Sequence, residues 1–349
     1  MPQPDTPRRG LPRWLKALLK LAFAGALIAV MVHFDLLDLD VLKEVRFKPL
    51  DILLAAGLML AGLVLTIARW RLLLGVQDIR PGPWSTIQLG FIGFFFSCVI
   101  PGSVSGDAIK AYYVARDSGK TAGAVASVLM DRFLGLYTLA IVSSTAILVL
   151  WWRGALDVAQ ANTAVRAGCM FVVGCVAAMT LFGAALLSRR ARDSRILAWL
   201  LDHMPFRSAV RKMHNAVLLY RDRRGAVALI FAVSFAAQVP MVLGTYVLGR
   251  ALGDATLRMS QYFMLTPLGL VLNGIPLLPA GLGVGELSFA MLYKAFGSSV
   301  GAEIAALWHI LFFGFSMIGM LLYVRGRRNY SAISGKAPTF GEDNAADLP

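Results

Sequence analysis

The stretch CVIPGSVSGDAIKAYYVARD, residues 98–117, stops an apolar run at Pro101-Gly102 and follows it with small residues, Gly106 and a carboxylate, Asp107. A second stretch, LPAGLGVGE at 278–286, repeats the order: a proline, small residues including Gly281 and Gly283, then Glu286 at the opening of the next helix. A chain that breaks and restarts as a helix presents free N–H groups at the new N-terminus, and the helix dipole makes them an anion site. Asp107 and Glu286 then either cap those helices or bind a cation, a proton or a polar headgroup.

Asp131-Arg132 is the second constellation, set inside the long apolar run 122–152. A helix entering near Thr121 carries the pair ten residues inward, about 15 Å at 1.5 Å per residue. That is close to the bilayer centre, where an unpaired charge costs a few kcal/mol or more. Neighbouring side chains on a helix diverge by about 100°, so each of the two needs its own partner. Asp107 and Glu286 are the candidates for Arg132. The alternative is a shifted helix start that leaves both charges snorkelling to the interface.

These residues need elements to hold them, and the composition says which kind. Hydrophobic residues make up 58% of the 349 and charged ones 15%, with a mean hydropathy of +0.67. Segments 15–34, 50–68, 165–187, 225–249 and 302–324, together with 122–152, supply the apolar length a membrane span requires. Segments 86–109 and 260–297 are apolar but broken by Gly and Pro. The net charge of +14 sits in basic connections: 188–224 carries ten Lys/Arg against three acids, while 35–49, 153–164 and 250–259 carry three, one and two. That asymmetry follows the positive-inside rule and makes nucleic acid an unneeded partner.

Parity decides the topology. Every basic connection falls on the cytoplasmic side if 86–109 and 260–297 each dip into the membrane and return to the same face. The prediction is an all-α polytopic membrane protein with about six full spans and two re-entrant Gly/Pro-broken hairpins. Repeat one (15–152) and repeat two (165–324) run in opposite orientation, an inverted repeat of the kind secondary transporters use. The competing reading is that Gly and Pro merely loosen two ordinary spans. Residues 1–14 form a cytoplasmic N-terminus, 188–224 a basic cytoplasmic loop, and 325–349 a disordered cytoplasmic tail.

Other features are assigned more plainly. Arg69 and Arg71 beside Trp70 read as an interfacial anchor. Trp199 among Arg195, Arg207, Arg211 and Lys212 suggests an amphipathic helix on the membrane surface. His309 reads as a packed histidine. Cys98, Cys169 and Cys175 lie in apolar segments without metal spacing, so no metal or cofactor is implied. No GxSxG, HExxH or P-loop sequence occurs, and the chain is expected not to be an enzyme.

FFFSCVIPGSVSGDAIKAYYVAR at 94–116, DRFLGL at 131–136 and IPLLPAGLGVGE at 275–286 resemble, in that order, the flippase-like membrane domain family. That family is named for the membrane half of lysylphosphatidylglycerol synthase and includes small stand-alone bacterial and archaeal members. The resemblance spans roughly 15–324. Its Pro-Gly…Gly-Asp element falls on Pro101, Gly102, Gly106 and Asp107, its Asp-Arg…Gly-Leu element on Asp131, Arg132, Gly135 and Leu136, and its late element on Pro279, Gly281, Leu282, Gly283 and Glu286. Ser103, Ser105 and Ala280 stand where glycines are usual. Lys110 stands where arginine is usual, giving up a bidentate grip on phosphate.

The resemblance implies a multi-pass protein of the bacterial or archaeal cell (inner) membrane, translocating an amphiphile without the synthase's soluble aminoacyl-transferase domain. The expected site is Gly102, Gly106, Asp107, Lys110, Asp131, Arg132, Gly281, Gly283 and Glu286. The expected partner is a membrane lipid, either an anionic phospholipid or a polyprenyl-phosphate-linked glycan. A scaffold recruiting a cytoplasmic glycosyltransferase or another lipid- or glycan-modifying enzyme through 188–224 is the alternative, and an intramembrane lipid-modifying enzyme a third. Labelling of single-cysteine variants should find 110–120 and 188–224 reactive from the cytoplasm and 153–164 and 297–301 from outside. Labelling of position 116 from outside alone removes the first hairpin and the inverted repeat together.

Overall fold

A computed structural model describes residues 48–99, 105–154, 163–187, 215–221, 223–273 and 284–325. The predicted segments 15–34 and 325–349 (past Arg325), the two breaks around 102 and 281, and most of the basic loop lie outside the described residues. What is described is helical, in nine longer helices. The first half contributes α1 (Pro49–Val76), α2 (Pro83–Val99), α3 (Ser105–Ser118) and α4 (Thr121–Trp152). Then come α5 (Thr163–Leu187), α6 (Arg224–Ala251), α7 (Met259–Asn273), α8 (Val284–Lys294) and α9 (Gly301–Arg325).

Four of them, α1, α4, α6 and α9, are long and apolar enough to cross a membrane. At 28 and 32 residues, α1 and α4 exceed the roughly 20 residues that a 30 Å core requires, and so run past it or tilt. Pro49 opens α1 where its missing N–H has no helical partner to lose. At the other end Asp78 adopts a left-handed backbone, φ 53°, and turns the chain toward α2.

In each broken segment the two described helices that flank the break pack on each other. Ser105 Oγ donates to the Phe96 carbonyl at 3.0 Å, and Gly106 meets the Gly93 backbone. Residue numbers that rise on α3 as they fall on α2 mark antiparallel packing. In the second half Gly269 packs on Phe289 and the Thr266 hydroxyl meets Tyr293 Oη at 3.0 Å, so α7 and α8 pair in the same sense.

The helices pack in a pattern that survives exchange of the halves. α1 lies along α6; α2 packs on α9 as α7 packs on α4; α3 packs on α4 as α8 packs on α9. The α1–α6 seam is itself reciprocal. Gly62 of α1 faces Met241 and the Ala237 carbonyl, and Gly244 of α6 faces Met59 and the Ala55 carbonyl. Small residues let backbones approach closely, which is how helices associate where lipid removes the hydrophobic drive between them. Outside the spans, Arg223 closes on Asp78 at 2.8 Å and so ties the start of α6 to the end of α1. Its hydrogen bond holds the Asp78 carboxyl below its ordinary range.

A Cβ at Gly106 would collide with the Gly93 carbonyl and Ser97 Oγ, whereas one at Gly57 meets nothing within 4 Å. Gly106→Val should therefore cost about 1–3 kcal/mol or more by overpacking. Thermal unfolding in detergent should show a clear drop in Tm for that variant and none for Gly57→Ala.

Candidate functional site

A cavity of about 280 Å³ opens between α1, α2, α3, α4, α6, α7 and α9. Its ionic lining is Arg69, Asp107, Lys110, Asp131 and Arg132. α4 does begin at Thr121, so Asp131 and Arg132 stand ten and eleven residues along it, as the sequence predicts. They also diverge as predicted, each to its own partner. Asp131 accepts from Arg69 Nε at 2.8 Å, and Arg132 Nε donates to Asp107 Oδ2.

Lys110 joins the two pairs. Its ammonium lies 2.7 Å from Asp107 Oδ1 and 3.9 Å from Asp131 Oδ2, and 4.9 Å from the Trp70 ring centroid in a cation–π contact. The Trp70 Nε1–H donates to Ser127 Oγ at 3.3 Å, which fixes the ring that Lys110 covers. Asp107 lies in the first turn of α3, yet its carboxylate is committed to these two cations. Arg69, Asp107, Lys110 and Asp131 are all buried. The Arg132 side chain is 41% exposed.

Glycine makes the room. A Cβ on Gly93 would stand 2.9 Å from Lys110 Cγ, and one on Gly135 would stand 3.3 Å from an Arg69 guanidinium nitrogen. Trp70, Phe94, Trp308 and Phe312 add aromatic surface to the cavity, and Gln238, which donates to Thr138 Oγ1 at 3.3 Å, adds an amide. Within this cluster three cations stand against two carboxylates, leaving one net positive charge among the described residues.

Of the residues expected in the site, Asp107, Lys110, Asp131 and Arg132 converge here. Gly106 instead lets α3 approach α2 closely behind them. Gly102, Gly281 and Gly283 lie outside the described residues. Glu286 does not reach Arg132: it meets His309 Nδ1 at 2.7 Å, in the second half. Arg69 and Trp70, read from the sequence as part of an interfacial anchor, are both buried and bonded to α4, and α1 continues past them to Val76. The signal was present in the apolar residues 72–74, which prolong the helix past the charges. Gln238 had no comparable sequence signal.

Arg69→Met leaves Asp131 with only its longer contact to Lys110 and should destabilise the protein by about 3–5 kcal/mol, the usual cost of breaking a buried pair. Replacing both partners, Arg69→Met with Asp131→Leu, should recover much of that loss. A double-mutant cycle on detergent-unfolding midpoints measures it.

A family model described as lysylphosphatidylglycerol synthase TM region matches residues 17–322. A UPF0104 membrane protein of Methanothermobacter thermautotrophicus is 23% identical over 266 residues, covering 69% of this chain and 72% of its own. No solved structure matches.

Proposed function

The chain belongs to the lysylphosphatidylglycerol synthase TM region family of membrane proteins, and on that premise we propose that it moves an anionic lipid between leaflets. The observation that carries this reading is the net positive charge of the cavity. An anionic headgroup that leaves water must exchange its hydration for fixed donors and a cation. Arg132 supplies a guanidinium, the group best suited to bidentate contact with phosphate. Asp107 and Lys110 orient it from α3, and the Arg69–Asp131 pair anchors that arrangement to α1. At 280 Å³ the cavity is near the lower end of ligand pockets, about 300–1,000 Å³. A headgroup can occupy it while the hydrocarbon tails stay in lipid.

The exchange of halves that preserves helix packing supports an inverted repeat, with α2–α3 and α7–α8 as re-entrant hairpins entering from opposite faces. In this reading the protein resides in the cell (inner) membrane with both termini cytoplasmic, and the work is translocation rather than catalysis.

Reconstituted protein should accelerate exchange of a fluorescent anionic phospholipid between leaflets and move a phosphatidylcholine analogue much less. A polyprenyl-phosphate sugar tests the larger substrate class in the same assay. Arg132→Gln and Asp107→Asn should each lower the anionic rate several-fold while the protein still inserts. Normal rates in both variants remove the site. No movement of any anionic lipid transfers the case to a scaffold recruiting a lipid- or glycan-modifying enzyme.

A further inference from the structure

The two halves carry equivalent acid–base pairs that differ in one chemical respect. In the first, Asp107 in the opening turn of α3 pairs with Arg132, 25 residues on in α4. In the second, Glu286 in the opening turn of α8 pairs with His309, 23 residues on in α9. Each joins the second helix of a hairpin to the span that follows it. A guanidinium keeps its proton at any physiological pH, whereas histidine is the side chain suited to gain and lose one there.

We propose that Glu286–His309 is a proton-binding site whose occupancy controls the cavity, so that headgroup movement is coupled to a proton. The inference rests on the translocation reading for what the proton is coupled to, but not for the proton site itself. With Glu286 ionised and Nδ1–H donated to it, the imidazole takes its second proton at Nε2. The pair then changes from one net negative charge to none, a large change for a histidine that is 3% exposed.

The change has a short route to the cavity. Trp308, the preceding residue, lines it, and its ring packs edge-on against His309 with centroids 5.2 Å apart. Trp308 also stacks on Phe312 at 5.2 Å, and Phe312 is a second lining residue. A shift of α9 that follows a strengthened Glu286–His309 contact therefore moves two cavity side chains.

Other titratable groups on the packed elements are accounted for. α2 contributes only Cys98 and α7 only Tyr262, whose hydroxyl donates to Asp254 Oδ2 at 2.7 Å. α6 contributes Arg224, Tyr246 and Arg250; α8 adds Tyr293 and Lys294, one near and one at its far end. α9 itself carries Glu303 in its first turn and Tyr323 and Arg325 near its last. Among the described residues His309 is the sole imidazole.

Two measurements on the full-length protein decide the matter. Infrared difference spectra recorded against pH should contain an imidazole contribution, beside those of His33, His203 and His214, that is lost in His309→Gln and altered in Glu286→Gln. In proteoliposomes with the membrane potential clamped, a gradient of about one pH unit should change the wild-type rate of anionic lipid exchange several-fold, with tenfold the ceiling. The ratio of rates with and without the gradient should fall to one in His309→Gln, in Glu286→Gln and in His309→Arg, which gives the second half the fixed charge of the first. An imidazole contribution unchanged in His309→Gln, or wild-type exchange indifferent to the gradient, overturns the proton site and leaves translocation standing. A protein that titrates at His309 but moves no lipid overturns translocation and leaves the proton site standing.

Discussion

A carboxylate about 15 Å along a membrane helix has to be neutralised from outside that helix, and Asp131 is the constraint around which the first half is arranged. Its direct partner, Arg69, sits on α1, 62 residues away in sequence. The pair fixes α1 against α4 in rotation as well as distance, since a one-residue turn of either helix swings its side chain by about 100°. Lys110 then ties α3 to the same carboxylate and passes the constraint on to Asp107 and Arg132. Three helices are thereby held by polar contacts in a place where lipid supplies no hydrophobic drive for association.

The close approaches elsewhere are consequences of that arrangement. Lys110 can lie along α2 only because residue 93 has no side chain, and Arg69 can lie beside α4 only because residue 135 has none. The second half also pairs two short helices, α7 and α8, but fills its interior differently. Thr245, Thr266 and Tyr293 form a neutral hydroxyl chain there, amid a core of Tyr262, Phe289 and Leu265. The linked ion pairs of Arg69, Asp107, Lys110, Asp131 and Arg132 therefore lie in the first half, and the second carries the Glu286–His309 contact.

Much of this arrangement was legible in sequence because membranes simplify the problem. Length and apolarity set the helices: α4, α6 and α9 begin and end within a few residues of the expected runs. Charge depth required partners for Asp131 and Arg132, and Asp107 was found among the candidates. Failures came where composition is silent about direction. The apolar run 50–68 seemed to end at Arg69, because a charge there reads equally as the water surface or as a buried partner. Glu286 was expected near Arg132 because the two breaks look alike, but Arg132 meets Asp107 and Glu286 meets His309, each within its own half. His309 was expected to pack, and it does, with a carboxylate as its neighbour.

Lys110 shows how a departure from family pattern gains meaning from geometry. Read as a phosphate ligand, lysine in place of arginine is a weaker grip. In the structure its ammonium faces inward to two carboxylates and the Trp70 ring. A compact cation on a flexible stem can bridge Asp107 and Asp131 at once, whereas a planar fork engages one carboxylate well and must be accommodated whole. Lys110 thus completes the neutralisation of the two acids, and Arg132 is the more open member of the cluster. The lysine therefore bears on how the two acids are bridged inside the protein.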